Sequence, residues 1–107
     1  MRLLIAAAAL LTFALPLHAN TTSELTGTFQ GIEQGDYAYF QLHTDAGADE
    51  SLMILQTDAA IDDFVEHADS LVGTRVKVRI EDRKQDIPEA GGEIDVRVLL
   101  GVEKLAK

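Results

Sequence analysis

The chain has 107 residues, of which 18 are acidic and nine are basic, so its formal net charge is −9, and it contains no cysteine. A chain of this length forms one domain, and the lack of cysteine excludes disulfide bonds, thiol catalysis and a lipid-modified N-terminal cysteine. Because this charge repels phosphate backbones and anionic lipid, the composition predicts no general affinity for nucleic acid or for membrane surfaces.

Residues 1–19 have the pattern of a bacterial-type signal peptide. One basic residue precedes an apolar run, residues 3–15, which is shorter than the roughly 20 residues that a membrane span needs. Ala19 is a small residue at the position expected for cleavage. We therefore predict a mature single domain, residues 20–107, in the periplasm or outside the cell, with no stable membrane insertion. Leu17 is larger than the peptidase pocket prefers, so an uncleaved anchor is the alternative.

Three strands are predicted in the first half of the mature chain. Residues 24–33 alternate in polarity and contain Gly27 and Gly31, which indicate a bulge or a sharp bend within the strand. A short glycine-containing turn leads to a second alternating strand at residues 37–44. Residues 52–56 are apolar on both sides, which predicts a central third strand.

One helix and two further strands are predicted in the second half. Apolar residues recur at helical spacing over residues 61–71, and either Thr57 or Asp58 offers an oxygen to cap the helix N-terminus. Strict alternation then predicts strands at residues 74–81 and 93–102. Proline and glycine between them indicate a mobile hairpin loop.

This order, three strands, one helix and two strands with glycines in the first strand, resembles the OB-fold. The resemblance covers most of the mature chain. It implies a mainly β fold with one helix, in which a five-stranded barrel has the order β-β-β-α-β-β. An α+β roll is the alternative architecture.

No pattern typical of catalysis or of metal binding is complete in this sequence. The serines do not lie in a nucleophile elbow, and Asp63 with His67 supplies two ligands where a zinc site needs more. The Asp45–Glu50 loop has oxygen ligands but departs from the calcium-binding EF-hand pattern, which leaves at most a weak cation site. We therefore predict no catalytic residue, no metal and no cofactor.

A cationic stripe is predicted on one face of the fourth strand. Arg75, Lys77 and Arg79 share that face and form a candidate anion-binding site. The alternative, which we favour, is that they form cross-strand ion pairs with Glu93 and Asp95 of the last strand.

The candidate ligand-binding face is the outward side of the second strand. Strand periodicity places four side chains there: Tyr37, Tyr39, Gln41 and His43. In OB-folds this strand often belongs to the ligand face, where flat rings stack on bases or sugars or anchor a protein partner. The flanking segments are residues 34–36 and 83–92. The alternative is that exposed tyrosines only satisfy the β-propensity of the strand.

These observations predict a non-catalytic binding module that recognises a protein, a peptide or an oligosaccharide, with nucleic acid excluded as a partner. A small periplasmic hydrolase or an enzyme-inhibitor-like domain is the alternative. An enzyme would require a concave site with perturbed acids.

Overall fold

A computed structural model of the chain describes residues 21–105. The predicted signal peptide and its cleavage site lie outside the described residues and stay predictions. Within the described range, none of the helices combines the length and the apolar character needed to cross a bilayer.

Five strands and two short helices make up the domain. Their bounds are β1 Thr21–Gln34, β2 Ala38–Thr44, β3 Asp49–Ile54, α1 Ala59–Glu66, α2 Ala68–Leu71, β4 Arg75–Ile87 and β5 Gly92–Lys104, with a turn of 3-10 helix at Pro88–Ala90. The strands close a barrel in the order β1-β2-β3-β5-β4, in which β3 and β5 run parallel and the other pairs antiparallel. This arrangement confirms the predicted mainly β, five-stranded OB-like barrel with a helix between the third and fourth strands.

The two glycines of β1 allow this strand to bend and to pair with both of its neighbours. Its first half pairs with β4 and its second half with β2. A Cβ at Gly27 would overlap the carbonyl oxygen of His43, so only glycine lets the strands approach this closely. Gly31 has a φ of 128° and lies beside a bulge that follows Phe29. The prediction that these glycines mark a bulge or a bend is confirmed.

The core fills the barrel and is covered by α1. Phe29 and Phe40 have ring centroids 4.6 Å apart, and Phe64 of α1 packs edge-on against Phe29 at 4.9 Å. Asp58 caps α1, because its carboxylate accepts a hydrogen bond of 2.9 Å from the N–H of Ile61. The cap therefore fixes the start of the helix that contributes Ile61 and Phe64 to the core.

The helical segment lies where it is predicted, but it is interrupted at His67. His67 has non-helical backbone angles, φ −120° and ψ 35°, and separates α1 from a single turn, α2. Its ring Nδ1 lies 3.0 Å from the carboxylate of Asp63, so these two side chains form a local pair at the break. The prediction of one continuous helix through residue 71 is wrong at this point.

The hairpin of β4 and β5 is longer than predicted. Both strands have 13 residues, and their pairing continues as far as Ile87 opposite Gly92. Residues 83–92, predicted as a mobile loop, are therefore mostly strand with a short 3-10 turn at the tip. Lys84 opposite Asp95 makes an ion pair of 2.8 Å on this extension. Polar side chains on both faces conceal the alternation that indicates a strand elsewhere.

Candidate functional site

An open cleft of about 410 Å³ lies between the outer face of the barrel and the tip of the β4–β5 hairpin. Its large aromatic and apolar lining residues are Tyr37, Tyr39, Met53, Ile87 and Ile94. These residues come from the β1–β2 turn, β2, β3, β4 and β5, so the cleft depends on the folded barrel rather than on one sequence segment.

Strand register explains how these side chains share one surface. Tyr39 pairs with Met53 across β2 and β3, and Met53 pairs with Val98 of β5. Met53 is only 4% exposed and Val98 is fully buried, yet both lie outside the main hydrophobic cluster around Phe29. The outer face of β2 and β3 is thus partly covered, and the two tyrosines are half-buried rather than fully exposed.

Tyr37 connects the two loops that bound the cleft. Its hydroxyl donates a hydrogen bond of 3.2 Å to Oε1 of Glu89, which lies in the 3-10 turn at the hairpin tip. Partial desolvation, assisted by the negative charge of Glu89, raises the pKa of Tyr37 above its ordinary value. The hydroxyl therefore remains a neutral donor at physiological pH and holds the hairpin tip against the β1–β2 turn.

The rim of the cleft is acidic. Three carboxylates line it, from Glu33, Asp36 and Glu89, and none of them makes an ion pair within residues 21–105. No lysine or arginine of the described chain lines the cleft. The cleft therefore combines flat ring faces with an excess of hydrogen-bond acceptors.

The structure brings two of the four predicted face residues into the cleft. Tyr37 and Tyr39 line it, whereas Gln41 and His43 lie further along the outer face of the sheet. Gln41 Nε2 donates to Ser51 Oγ at 2.8 Å, and His43 Nδ1 lies 2.7 Å from Asp49. The amide and the imidazole are thus engaged by residues of β3.

The sequence analysis did not single out Met53, Ile94 or Glu89 as lining residues, although Glu89 lies in the flanking segment 83–92. Met53 belongs to a strand whose sequence is apolar on both faces, and Ile94 and Glu89 lie in or near the segment predicted as a loop. A signal was present in the alternation of Ile94, Val96 and Val98, which extends the apolar face of β5 towards the hairpin tip.

The predicted ion pairs of the cationic stripe are wrong. Arg75 forms an ion pair with Asp45, and the two residues predicted as its partners, Glu93 and Asp95, lie opposite Asp86 and Lys84. Because the hairpin is longer than predicted, Glu93 and Asp95 pair with the C-terminal end of β4, whereas Arg75 lies at its N-terminal end. This difference in register is the physical reason for the error.

Lys77 and Arg79 are the two basic side chains of residues 21–105 that make no ion pair. They lie side by side in a shallow groove of about 220 Å³, which shares no residue with the cleft. Glu24 and Glu103 pair with these positions on the neighbouring strands and reduce the local positive charge.

The acids of the predicted weak cation site are engaged separately. Asp45 pairs with Arg75, Asp49 with His43, and Glu50 lies 3.1 Å from Arg97. Among residues 21–105 there is no group of three side chains that could together hold a metal ion.

No protein-family model matches this chain, and no curated protein matches it. The chain is similar in structure to the mitochondrial single-stranded DNA binding protein of S. cerevisiae, with a TM-score of 0.56 and 11% sequence identity. The match covers 79% of this chain and 92% of the yeast chain. At this identity the likeness concerns the fold, and it supports the OB-like barrel.

This neighbour corrects two of the predictions from sequence. The prediction of a protein, peptide or oligosaccharide module is overturned, because the solved structure that shares this fold is that of a single-stranded DNA binding protein. The exclusion of nucleic acid as a partner is overturned for the same reason. Net charge alone was too weak a basis for these predictions, because recognition of single strands by OB-folds depends on the local surface that meets the bases. The chain is thus an OB-fold-like protein whose structural neighbour binds single-stranded DNA.

Proposed function

We propose that this protein binds single-stranded nucleic acid in the cleft, with Tyr37 and Tyr39 as stacking platforms for the bases. The observation that carries the proposal is the position of the cleft. It lies on the outer face of β2 and β3, between the β1–β2 turn and the β4–β5 hairpin. These are the surface and the two loops with which OB-folds bind oligonucleotides.

The two tyrosines are suited to this role because the protein already orders them. Glu89 accepts the hydroxyl hydrogen bond of Tyr37, and Met53 pairs with Tyr39 across the sheet. Ordering the rings before binding lowers the entropy cost of each stacked base. Stacking contributes about 1–3 kcal/mol per base and requires an exposed base face, which favours single strands over duplexes.

The charge distribution predicts weak binding with a shallow salt dependence. The cleft has no lysine or arginine in its described lining, so the phosphates of the bases stacked in it would remain in solvent. Of the predicted cationic stripe, Arg75 is paired with Asp45, which leaves Lys77 and Arg79 to contact a backbone. Each neutralised phosphate contributes about −0.7 to the logarithmic salt slope of single-strand binding, so two contacts give a slope of about −1.4.

Fluorescence anisotropy with a labelled single strand of about 12 nucleotides tests this proposal, since OB-folds occupy about 4–16 nucleotides. We expect saturable binding to the mature chain and much weaker binding of a duplex of the same sequence. Tyr39→Ala should weaken binding about tenfold, which corresponds to the loss of one stacked base at about 1.4 kcal/mol. Tyr39→Phe is the matched control, because it keeps the ring. Absence of saturable binding, or equal binding by the alanine variant, would contradict the proposal.

We also propose export of the domain, supported by the sequence of residues 1–19 alone. Expressed in a bacterium with its native start, the protein should be recovered from the periplasm or the medium with the mass of a chain that begins at Asn20. Recovery of the full-length mass in the cytosol or the membrane fraction would contradict cleavage and export. At the predicted location, the nucleic acid available to the cleft would lie outside the cytoplasm.

A further inference from the structure

We infer that the cleft prefers bases that carry an exocyclic amine, and in particular prefers cytosine to uracil or thymine. The inference rests on the proposed function and specifies the ligand class of the same site. It comes from the excess of acceptors on the rim, where Glu33, Asp36 and Glu89 surround the half-buried rings of Tyr37 and Tyr39.

The protein itself uses only part of this acceptor capacity. Oε1 of Glu89 accepts from Tyr37, and Oε1 of Glu33 lies 3.3 Å from the amide nitrogen of Gln41. Within residues 21–105 the Asp36 side chain makes neither a hydrogen bond nor an ion pair. An ionised carboxylate has about four acceptor sites, so many acceptor sites on the rim are available to the N–H groups of a ligand.

Side-chain donors facing the cleft are few by comparison. They are limited to the amide of Gln34 and the two tyrosine hydroxyls, and the hydroxyl of Tyr37 is already engaged by Glu89. No described basic side chain lines the cleft to receive a base carbonyl. The site is therefore complementary to a ligand edge rich in N–H groups and poorly matched to an edge rich in carbonyl oxygens.

Cytosine and uracil differ in the groups that this lining would distinguish. At ring position 4 cytosine has an amine, whereas uracil has a carbonyl oxygen. The amine can donate to a carboxylate in a charge-assisted hydrogen bond, which is the contact by which Asp and Glu recognise cytosine. The carbonyl oxygen would face the same carboxylate without a shared proton. Stacking accepts every base, so the carboxylates must provide the discrimination. They attract the amine of cytosine and repel the carbonyl oxygen of uracil.

Labelled oligomers of deoxycytidine and deoxyuridine of equal length provide the test, at slightly alkaline pH where cytosine is unprotonated. We expect the cytosine oligomer to bind about tenfold more tightly, which corresponds to about 1.4 kcal/mol and is typical of one good base contact. Equal affinity, or tighter binding of the uracil oligomer, would overturn the inference while the proposed function stands. If neither oligomer binds, the proposed function itself fails.

Two double variants separate the rim acids from net charge. Asp36→Asn with Glu89→Gln replaces two carboxylates by amides. The ratio of the cytosine affinity to the uracil affinity should therefore fall towards one, while the affinity for the uracil oligomer increases. Glu66→Gln with Asp69→Asn is the matched control, because these exposed helix-region side chains lie outside the cleft and carry the same charge. It should preserve the preference for cytosine. Loss of the preference in both double variants would assign it to net charge and overturn the inference.

Discussion

Truncation of Phe40 should destabilise the domain far more than truncation of its neighbour Tyr39. Phe40 is fully buried, and its ring centroid lies 4.6 Å from that of Phe29 and 5.5 Å from that of Phe64. Replacing a buried phenylalanine by alanine costs about 3–5 kcal/mol through lost burial and the cavity that remains. Because domains of this kind have a stability of about 5–15 kcal/mol, Phe40→Ala should lose a large part of it.

Tyr39→Ala should cost about 1–2 kcal/mol, because Tyr39 is half-buried and lies opposite Met53 in the sheet. Urea unfolding monitored by circular dichroism measures both variants, and an unchanged denaturant slope confirms that the midpoints report stability. Anisotropy on the folded Tyr39→Ala protein then measures binding separately. If Tyr39→Ala unfolds as readily as Phe40→Ala, the cleft wall is part of the core and the assignment of faces is wrong.

Three further predictions concern the structure that supports the cleft. Gly27→Ala should destabilise or unfold the domain, since the added Cβ would overlap the His43 carbonyl oxygen. A thermal unfolding midpoint close to that of the unchanged protein would refute this. Asp58→Ala should cost about 1 kcal/mol in urea unfolding by removing the cap of α1. The hydrogen bond from Arg97 lowers the pKa of Asp82 below its ordinary value, so this group stabilises the fold above the unfolded pKa of about 3.9. That contribution is lost as the pH falls through the lower folded pKa, and Asp82→Asn should therefore reduce the loss of stability between neutral and acidic pH.

The element order and the two faces of β2 were predictable from the sequence, because each depends on local pattern. Phe40 and Leu42 alternate with the two tyrosines, and this parity holds in the barrel. Gly27 and Gly31 stood out inside an alternating strand, and glycine there has few physical uses other than close approach or a bulge.

The length of the hairpin and the partners of its charged residues were not predictable in this way. Residues 83–86, in the extension of β4, are all polar, so the usual period-two signal disappears there. Strand register is a property of two distant segments, and an error in the hairpin length moved the expected partners of Arg75 by many residues. The cleft requires this hairpin to reach Tyr37, so the site could be located only in part.

Net charge is a weak guide to the function of this chain because it counts charges without their positions. Five of the seven basic residues between positions 21 and 105 are paired with carboxylates: Arg75, Arg83, Lys84, Arg97 and Lys104. Three unpaired acids instead gather around the tyrosines of the cleft. In the proposed complex the ring faces take the bases while these acids keep the phosphates in solvent. The negative charge would then limit affinity and select amine-bearing bases, without excluding nucleic acid as a class.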